Sequence, residues 1–93
     1  MLIRLLYASE VAVPLTPAAV RDIVERARAA NQRRHITGVL AFDSGSFLQV
    51  LEGEREAVSE VFCHIAKDSR HRRVQLLESV AVDERRFATW SMG

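Results

Sequence analysis

Two apolar runs, ITGVLAFD at 36–43 and SFLQVLE at 46–52, meet at Ser44-Gly45, which commits the middle of the chain to a β-hairpin. Ser-Gly is a tight-turn signal, and strands joined by so short a link pair antiparallel. Gly53 ends the second run. Upstream, residues 2–9 (LIRLLYAS) read as a strand that is apolar on both faces and so belongs inside a sheet. Residues 10–15 read as a loop. Thr16-Pro17 then opens a helix over about 17–31, Thr capping the free amides and Pro taking the first helical position. Val20, Ile23, Val24 and Ala27 form its apolar stripe, and Asn31, about three turns after Val20, falls on the same stripe. Val58, Val61, Phe62 and Ile65 predict a second helix over 55–67. Residues 74–82 predict a fourth strand and 87–92 a short fifth.

The order strand-helix-strand-strand-helix-strand-strand is the split βαβ pattern of a ferredoxin-like domain with one strand added. The expected fold is α+β: a five-stranded mixed sheet with both helices on one face, side by side over a groove. With 93 residues the chain makes one domain, 1–93, and its 48% hydrophobic content excludes a disordered one. The net charge is +1, and Arg33-Arg34-His35 and Arg70-His71-Arg72-Arg73 are short clusters rather than an extended basic footprint, so nucleic acid is not expected as a partner. Cys63 is the one cysteine, which rules out an internal disulfide and a cysteine-rich metal site. A reducing cytoplasm suits such a chain. No run is long enough to span a bilayer, and the N-terminus is too short and strand-like for a signal peptide, so no membrane partner is expected.

Three polar residues stand where apolar ones belong. Tyr7 shares a strand face with Ile3, Leu5 and Ser9, and Gln49 shares one with Phe47 and Leu51. An unpartnered buried amide costs on the order of 1–3 kcal/mol, and Phe-Leu-Gln-Val-Leu gives Gln49 no polar neighbour along its strand. Asn31 is the third. If Tyr7 and Gln49 face the helices, all three converge on the groove. Two readings stay open at this level: a buried Tyr–Gln bond with Asn31 as a helix cap, or a set of groups waiting for a ligand. His64 and Asp68, four residues apart on the second helix, suggest a surface ion pair or the polar rim of such a ligand; without a third ligand they make no metal site.

Taken together, RLLYAS, ARAAN closing the first helix, ITGVL, FLQVLEG, HIAKDSRH and RRFATWSMG resemble the BLUF family of blue-light sensors using flavin, in the right order along the whole chain. The resemblance implies a photoreceptor module rather than an enzyme, holding FAD noncovalently with its ring between the helices. It implies that Tyr7 and Gln49 are the photoactive pair, that Asn31 holds the pyrimidine edge and that His64 contacts a carbonyl of that edge. Ser9, Ile23, Val24, Thr37, Phe47 and Ile65 would line the ring pocket. Lys67, Asp68, Arg70 and His71 would handle the ribityl and phosphate end, and Trp90 and Met92 would be tied to signalling. Ala30 departs from the family in offering no polar side chain. Family members usually continue into helices over the other sheet face, whereas this sequence stops at Gly93. That face would carry Leu2, Leu6, Leu48 and Val50, an apolar patch to be covered by a second subunit or a downstream partner, unless the chain is a fragment.

Other classes fit less well. An acylphosphatase-type hydrolase needs a glycine loop with an arginine near the N-terminus, which RLLYASEVAVP lacks. An RNA-binding module needs exposed aromatic and basic residues on the central strands, where Phe47 is accompanied by Gln49 and Leu51. A cofactor-free dimeric regulatory domain is permitted by composition and disfavoured only by the motifs.

Overall fold

The computed structural model describes residues 1–12 and 14–92, with the Met92 side chain outside the description. Seven elements follow one another: β1 (Leu2–Val11), α1 (Pro17–Arg33), β2 (Thr37–Asp43), β3 (Ser46–Glu54), α2 (Arg55–Lys67), β4 (His71–Ala81) and β5 (Trp90–Met92). The sheet order is β4-β1-β3-β2-β5, with β5 parallel to β2 and every other pair antiparallel. This is the expected ferredoxin-like sheet with one strand added, and β1 is central as its two-sided apolarity requires.

The register fixes which residues share a face. Tyr7 stands directly opposite Gln49, and Gln49 opposite Leu40. One residue pair further, Leu5, Leu51, Gly38 and Trp90 form the next row. Ile3, Leu5, Tyr7, Phe47, Leu51, Ile36 and Leu40 are buried on this side under Ile23 and Val24 of α1 and Val58 and Val61 of α2. Gly38 holds φ +148°, and a Cβ built on it would lie 1.9 Å from the Val50 carbonyl oxygen, so the β2–β3 approach requires glycine here.

Caps end the helices where the sequence places them, with one shift. Thr16 Oγ1 accepts the Ala19 amide at 3.1 Å and starts α1 as expected. The helix runs to Arg33, two residues beyond the expected end. His35 then takes a left-handed conformation (φ 55°), while Asn31 O accepts from the Arg34 and Ile36 amides. Asn31 thus lies inside the last turn, 2% exposed on the buried stripe.

β1 runs to Val11 rather than residue 9, and β3 runs through Gly53 to Glu54 rather than ending at residue 52, because the two strands pair from Leu2↔Glu54 onward. Two further strand limits differ from expectation, each for a long-range reason. β4 begins at His71 rather than Val74, because Val11 at the extended end of β1 pairs with His71. β5 begins at Trp90 rather than Phe87. The amides of Arg86 and Phe87 are taken by the Glu52 carboxylate at 2.7–3.1 Å, so that stretch cannot join a ladder. Glu52 lies on the face away from the helices, fully buried beneath this loop and bonded to Arg4 Nε at 2.8 Å. The same face carries Leu48, 46% exposed, among half-buried Leu2, Leu6 and Val50.

Candidate functional site: a polar-floored cleft between the helices

A cleft of about 270 Å³ opens between α1 and α2 over β1 and β3. Its depth follows from α1, whose stripe toward the cleft is Ile23, Ala27, Ala30, Asn31 and Arg34. Helical spacing aligns these five, and the two alanines keep the space open. From α2 come Val61, His64, Ile65 and Asp68, again spaced three or four apart.

Tyr7 and Gln49 form the floor. Gln49 Nε2 donates to the Tyr7 hydroxyl at 3.0 Å, with both residues buried at 1% and 3% exposure. Burial pushes the phenol above its ordinary pKa, and the bond from Gln49 only partly offsets this. Tyr7 is therefore fully protonated at neutral pH. Among the described residues, the Gln49–Tyr7 bond leaves Gln49 Oε1 buried without a donor, and Asn31 Nδ2 is buried without an acceptor. One orphaned acceptor and one orphaned donor in the same apolar cleft are what a bound heterocycle carrying both N–H and C=O groups would satisfy.

The mouth is charged. Arg70 chelates Asp68 through Nε and Nη2, the shortest contact being 2.6 Å, and its amide also donates to Asp68 Oδ1. The Arg70 guanidinium is the main reason the Asp68 carboxyl sits down at about 2. His71 Nδ1 meets Ser9 Oγ at 2.8 Å and its ring packs on Phe47 at 4.9 Å. Burial lowers the His71 pKa, so a neutral imidazole is favoured there. Arg34 reaches Glu60 at 3.5 Å and ties the C-terminal end of α1 to the middle of α2. No group of three or more metal-ligating side chains occurs among the described residues.

Of the residues singled out in the sequence, Tyr7, Ile23, Asn31, Phe47, Gln49, His64, Ile65, Asp68, Arg70 and His71 line this cleft. Four do not. Ser9 is buried behind His71 and acts through it. Val24 lies beside Ile23 but about 100° around the helix, in the core. Lys67 is exposed, displaced by a similar angle from Asp68. Thr37 belongs to the opposite sheet face, in register with Glu52, and its hydroxyl accepts from Arg85 Nη1 at 2.8 Å. The alternation Ile36-Thr37-Gly38 already carried that parity. Arg26 and Arg34 line the cleft and were missed, although the α1 stripe beginning at Ile23 runs through Arg34. Trp90 is buried at 7% exposure against α1, outside this cleft. Met92 pairs with Leu40 by backbone, and its side chain lies outside the described residues.

Comparison with known proteins agrees with this geometry. The BLUF family model, described as sensors of blue-light using FAD, matches residues 2–93. The photoactivated adenylate cyclase subunit alpha of Euglena gracilis is 36% identical over 88 residues, covering 95% of this chain and 9% of its own length. A solved bacterial light-regulated adenylyl cyclase superposes with a TM-score of 0.92 at 35% identity, over 99% of this chain and 27% of that one. Klebsiella pneumoniae BlrP1, solved with FMN and cyclic diGMP, gives 0.86 at 36% identity, over 98% and 25% respectively. The chain thus spans between a tenth and a third of the length of these relatives.

Proposed function

Because the chain belongs to the BLUF family of blue-light sensors using FAD, we propose that it is a blue-light receptor module that holds FAD between α1 and α2 and signals through rearrangement of the Tyr7–Gln49 pair. The observation that carries this reading is the 3.0 Å Gln49–Tyr7 bond on the floor of a cleft that also holds an orphaned amide atom at each of Gln49 and Asn31. A cofactor-free regulatory domain gives those buried atoms no partner, and each would be a standing penalty of about 1–3 kcal/mol. The cleft volume of about 270 Å³ suits a ring system, with the phosphate end outside near Arg70. FMN shares the ring and ribityl chain, so the floor residues serve either flavin; the family description favours FAD.

The flavin supplies blue-light absorption and an excited state able to accept an electron. The protein supplies the donor and the proton path. Tyr7, held protonated by burial, can release its proton only when it also gives up an electron. With its NH₂ group toward the phenol, as at 3.0 Å, Gln49 could not accept that proton, so the amide would first turn Oε1 to the Tyr7 hydroxyl to take it up and donate from its other end. When electron and proton return to Tyr7, the amide can settle in the reverse orientation. Oε1 then accepts from the Tyr7 hydroxyl and Nε2 turns to a ligand carbonyl. Asn31 holds the ligand edge while this occurs, and Ala27 and Ala30 leave it room. No catalytic turnover is required of such a module, and a cytoplasmic setting suits its lone exposed cysteine. Its output would pass to an effector, on the same chain or a separate one.

The purified protein should be yellow, and blue light should move its flavin band reversibly to longer wavelength. Tyr7→Phe should keep the colour and lose the shift, and Gln49→Leu should do the same. A persistent shift in Tyr7→Phe would remove Tyr7 as donor. A protein that stays colourless after incubation with FAD would end the proposal.

A further inference from the structure

A second cleft, of about 540 Å³, lies on the far side of α1, bounded by the C-terminal half of that helix, the start of β2, and the residues leading into β5. Its lining includes the guanidinium groups of Arg28 and Arg85 and the His35 ring, and no carboxylate among the described residues lines it. Its apolar walls are Ile36, Ala88 and Trp90. Arg28 lies over the Trp90 ring, its guanidinium carbon 5.6 Å from the centroid. Among the described residues Arg28 pairs with Glu25, 3.8 Å away, in an exposed pair that does little to neutralise it. Arg85 uses Nη1 on Thr37 Oγ1 and the Glu52 carbonyl, and a guanidinium has three further N–H groups, on Nε and Nη2. The helix end adds little opposing charge, because the carbonyls of Asn31 and Gln32 are taken by the amides of Arg34, His35 and Ile36. Finally, the Trp90 indole N–H, in a residue 93% buried, has no acceptor among the described residues. A buried donor without an acceptor beside two guanidinium groups is an incomplete anion site.

We infer that this cleft docks an acidic segment of a partner protein, a carboxylate seating against Arg28, Arg85 and Trp90. The inference rests on the receptor reading above, since it names the partner surface of that receptor. A polynucleotide is a poorer occupant: the cations form one walled pocket with an aromatic floor, not a stripe, and net charge is only +1. The position suits an output surface. Trp90 is the first residue of β5, and α1 walls both clefts, carrying Asn31 toward the first and Arg28 and Gln32 toward the second. Occupancy of one cleft should therefore alter the other, and the coupling must be reciprocal.

Trp90 is the only tryptophan, so its emission reports the cleft directly. The flavin-loaded protein is titrated in the dark with a blocked Asp-Glu-Leu-Asp-Glu peptide and, separately, with its Asn-Gln-Leu-Asn-Gln counterpart. The acidic peptide should change Trp90 emission saturably and the neutral one should not. Arg28→Gln should weaken binding about fivefold or more, the loss of one charge-assisted contact, while keeping the yellow colour and the light-induced shift. Saturating acidic peptide should also change the rate at which the shifted band returns in darkness. An equal response to both peptides, unchanged affinity in Arg28→Gln, or an unchanged return rate at saturation would overturn the inference. So would the same saturation by sodium acetate alone, or tighter binding of a single-stranded oligonucleotide. The receptor reading fails on the flavin band and this one on Trp90 emission, so the two failures are separable.

Discussion

Glu52→Gln should lower stability sharply while changing one atom. The Glu52 side chain is fully buried and accepts from Arg4 Nε at 2.8 Å, from the Arg86 amide at 2.9 and 3.1 Å, and from the Phe87 amide at 2.7 Å. A glutamine keeps one acceptor oxygen but turns an NH₂ group toward one of these donors, so at least one charge-assisted bond becomes a donor–donor contact. Arg4, whose side chain is only 17% exposed, also loses its counter-charge. Breaking a buried pair from one side costs roughly 3–5 kcal/mol. For a domain of this length each kcal/mol moves the melting midpoint by about 4–8 °C. A drop of roughly 12–40 °C is the expected result in a circular-dichroism melt at pH 7.

The pH dependence is a second, independent signature. Burial by itself would raise the Glu52 pKa, but the Phe87 and Arg86 amides and Arg4 outweigh it and leave the group below its ordinary 4.5. A carboxyl depressed in the folded state stabilises the fold above its unfolded pKa, and that contribution is lost as pH falls through the lower folded value. The gap between the native protein and Glu52→Gln should therefore be full at pH 6–7 and narrow below about pH 4.5. A melting difference under about 5 °C at pH 7, or a gap that persists undiminished into acid, would refute the reasoning.

Three other perturbations probe separate parts of the molecule. Gly38→Ala should cost about 3 kcal/mol or more, because the new Cβ meets backbone at 1.9 Å and cannot be relieved by a side-chain rotation; a native-like urea midpoint would show that β2 and β3 do not approach so closely. Asn31→Leu should make the flavin-free protein more stable by about 1 kcal/mol, since it removes an orphaned buried donor, yet weaken flavin retention on gel filtration; undiminished retention would remove Asn31 from the ligand contacts. Asp68→Asn should cost only about 0.5–1 kcal/mol, its pair with Arg70 being partly exposed. Because Asp68 is held down at about 2 from an ordinary 3.8, that difference should be full above about pH 4 and fade progressively as pH falls from there toward about 2, which an acid titration of stability would check.

How much of this was legible depended on whether the deciding interaction was local. The hairpin, the Thr16 cap and the α2 stripe are written in neighbouring residues, and the structure places them where the periodicities do. The convergence of Tyr7 and Gln49 on one face followed from strand parity once the sheet order was assumed. The limits of β4 and β5 were not local. Edge strand β4 is exposed along most of its length, so it shows no alternation to mark its start. The start of β5 is set by a carboxylate that takes the amides of residues 34 and 35 positions further along the chain. Thr37 was misplaced although the alternation around it was readable, because its role was carried over from a motif and not from its parity. Arg26 and Arg34 were missed because charged residues at a helix end read as solvated surface.

β3 connects these observations. Gln49 projects from one face of it into the helix-covered cleft, and Glu52, three residues on, projects from the other face beneath the loop leading to Trp90. On the receptor function proposed above, opposite parity would let one strand carry a switch on its inner side and an anchor on its outer side without the two competing for space. Within the sheet β3 is fixed by β1 and β2, whose backbone bonds run the length of both neighbours. β5, by contrast, has three residues and one neighbouring strand. A rearrangement at Gln49 large enough to disturb packing will therefore be resisted by β1 and β2 and absorbed where pairing is shortest. The weakest element of the sheet is the one hung from Glu52, and it begins at Trp90.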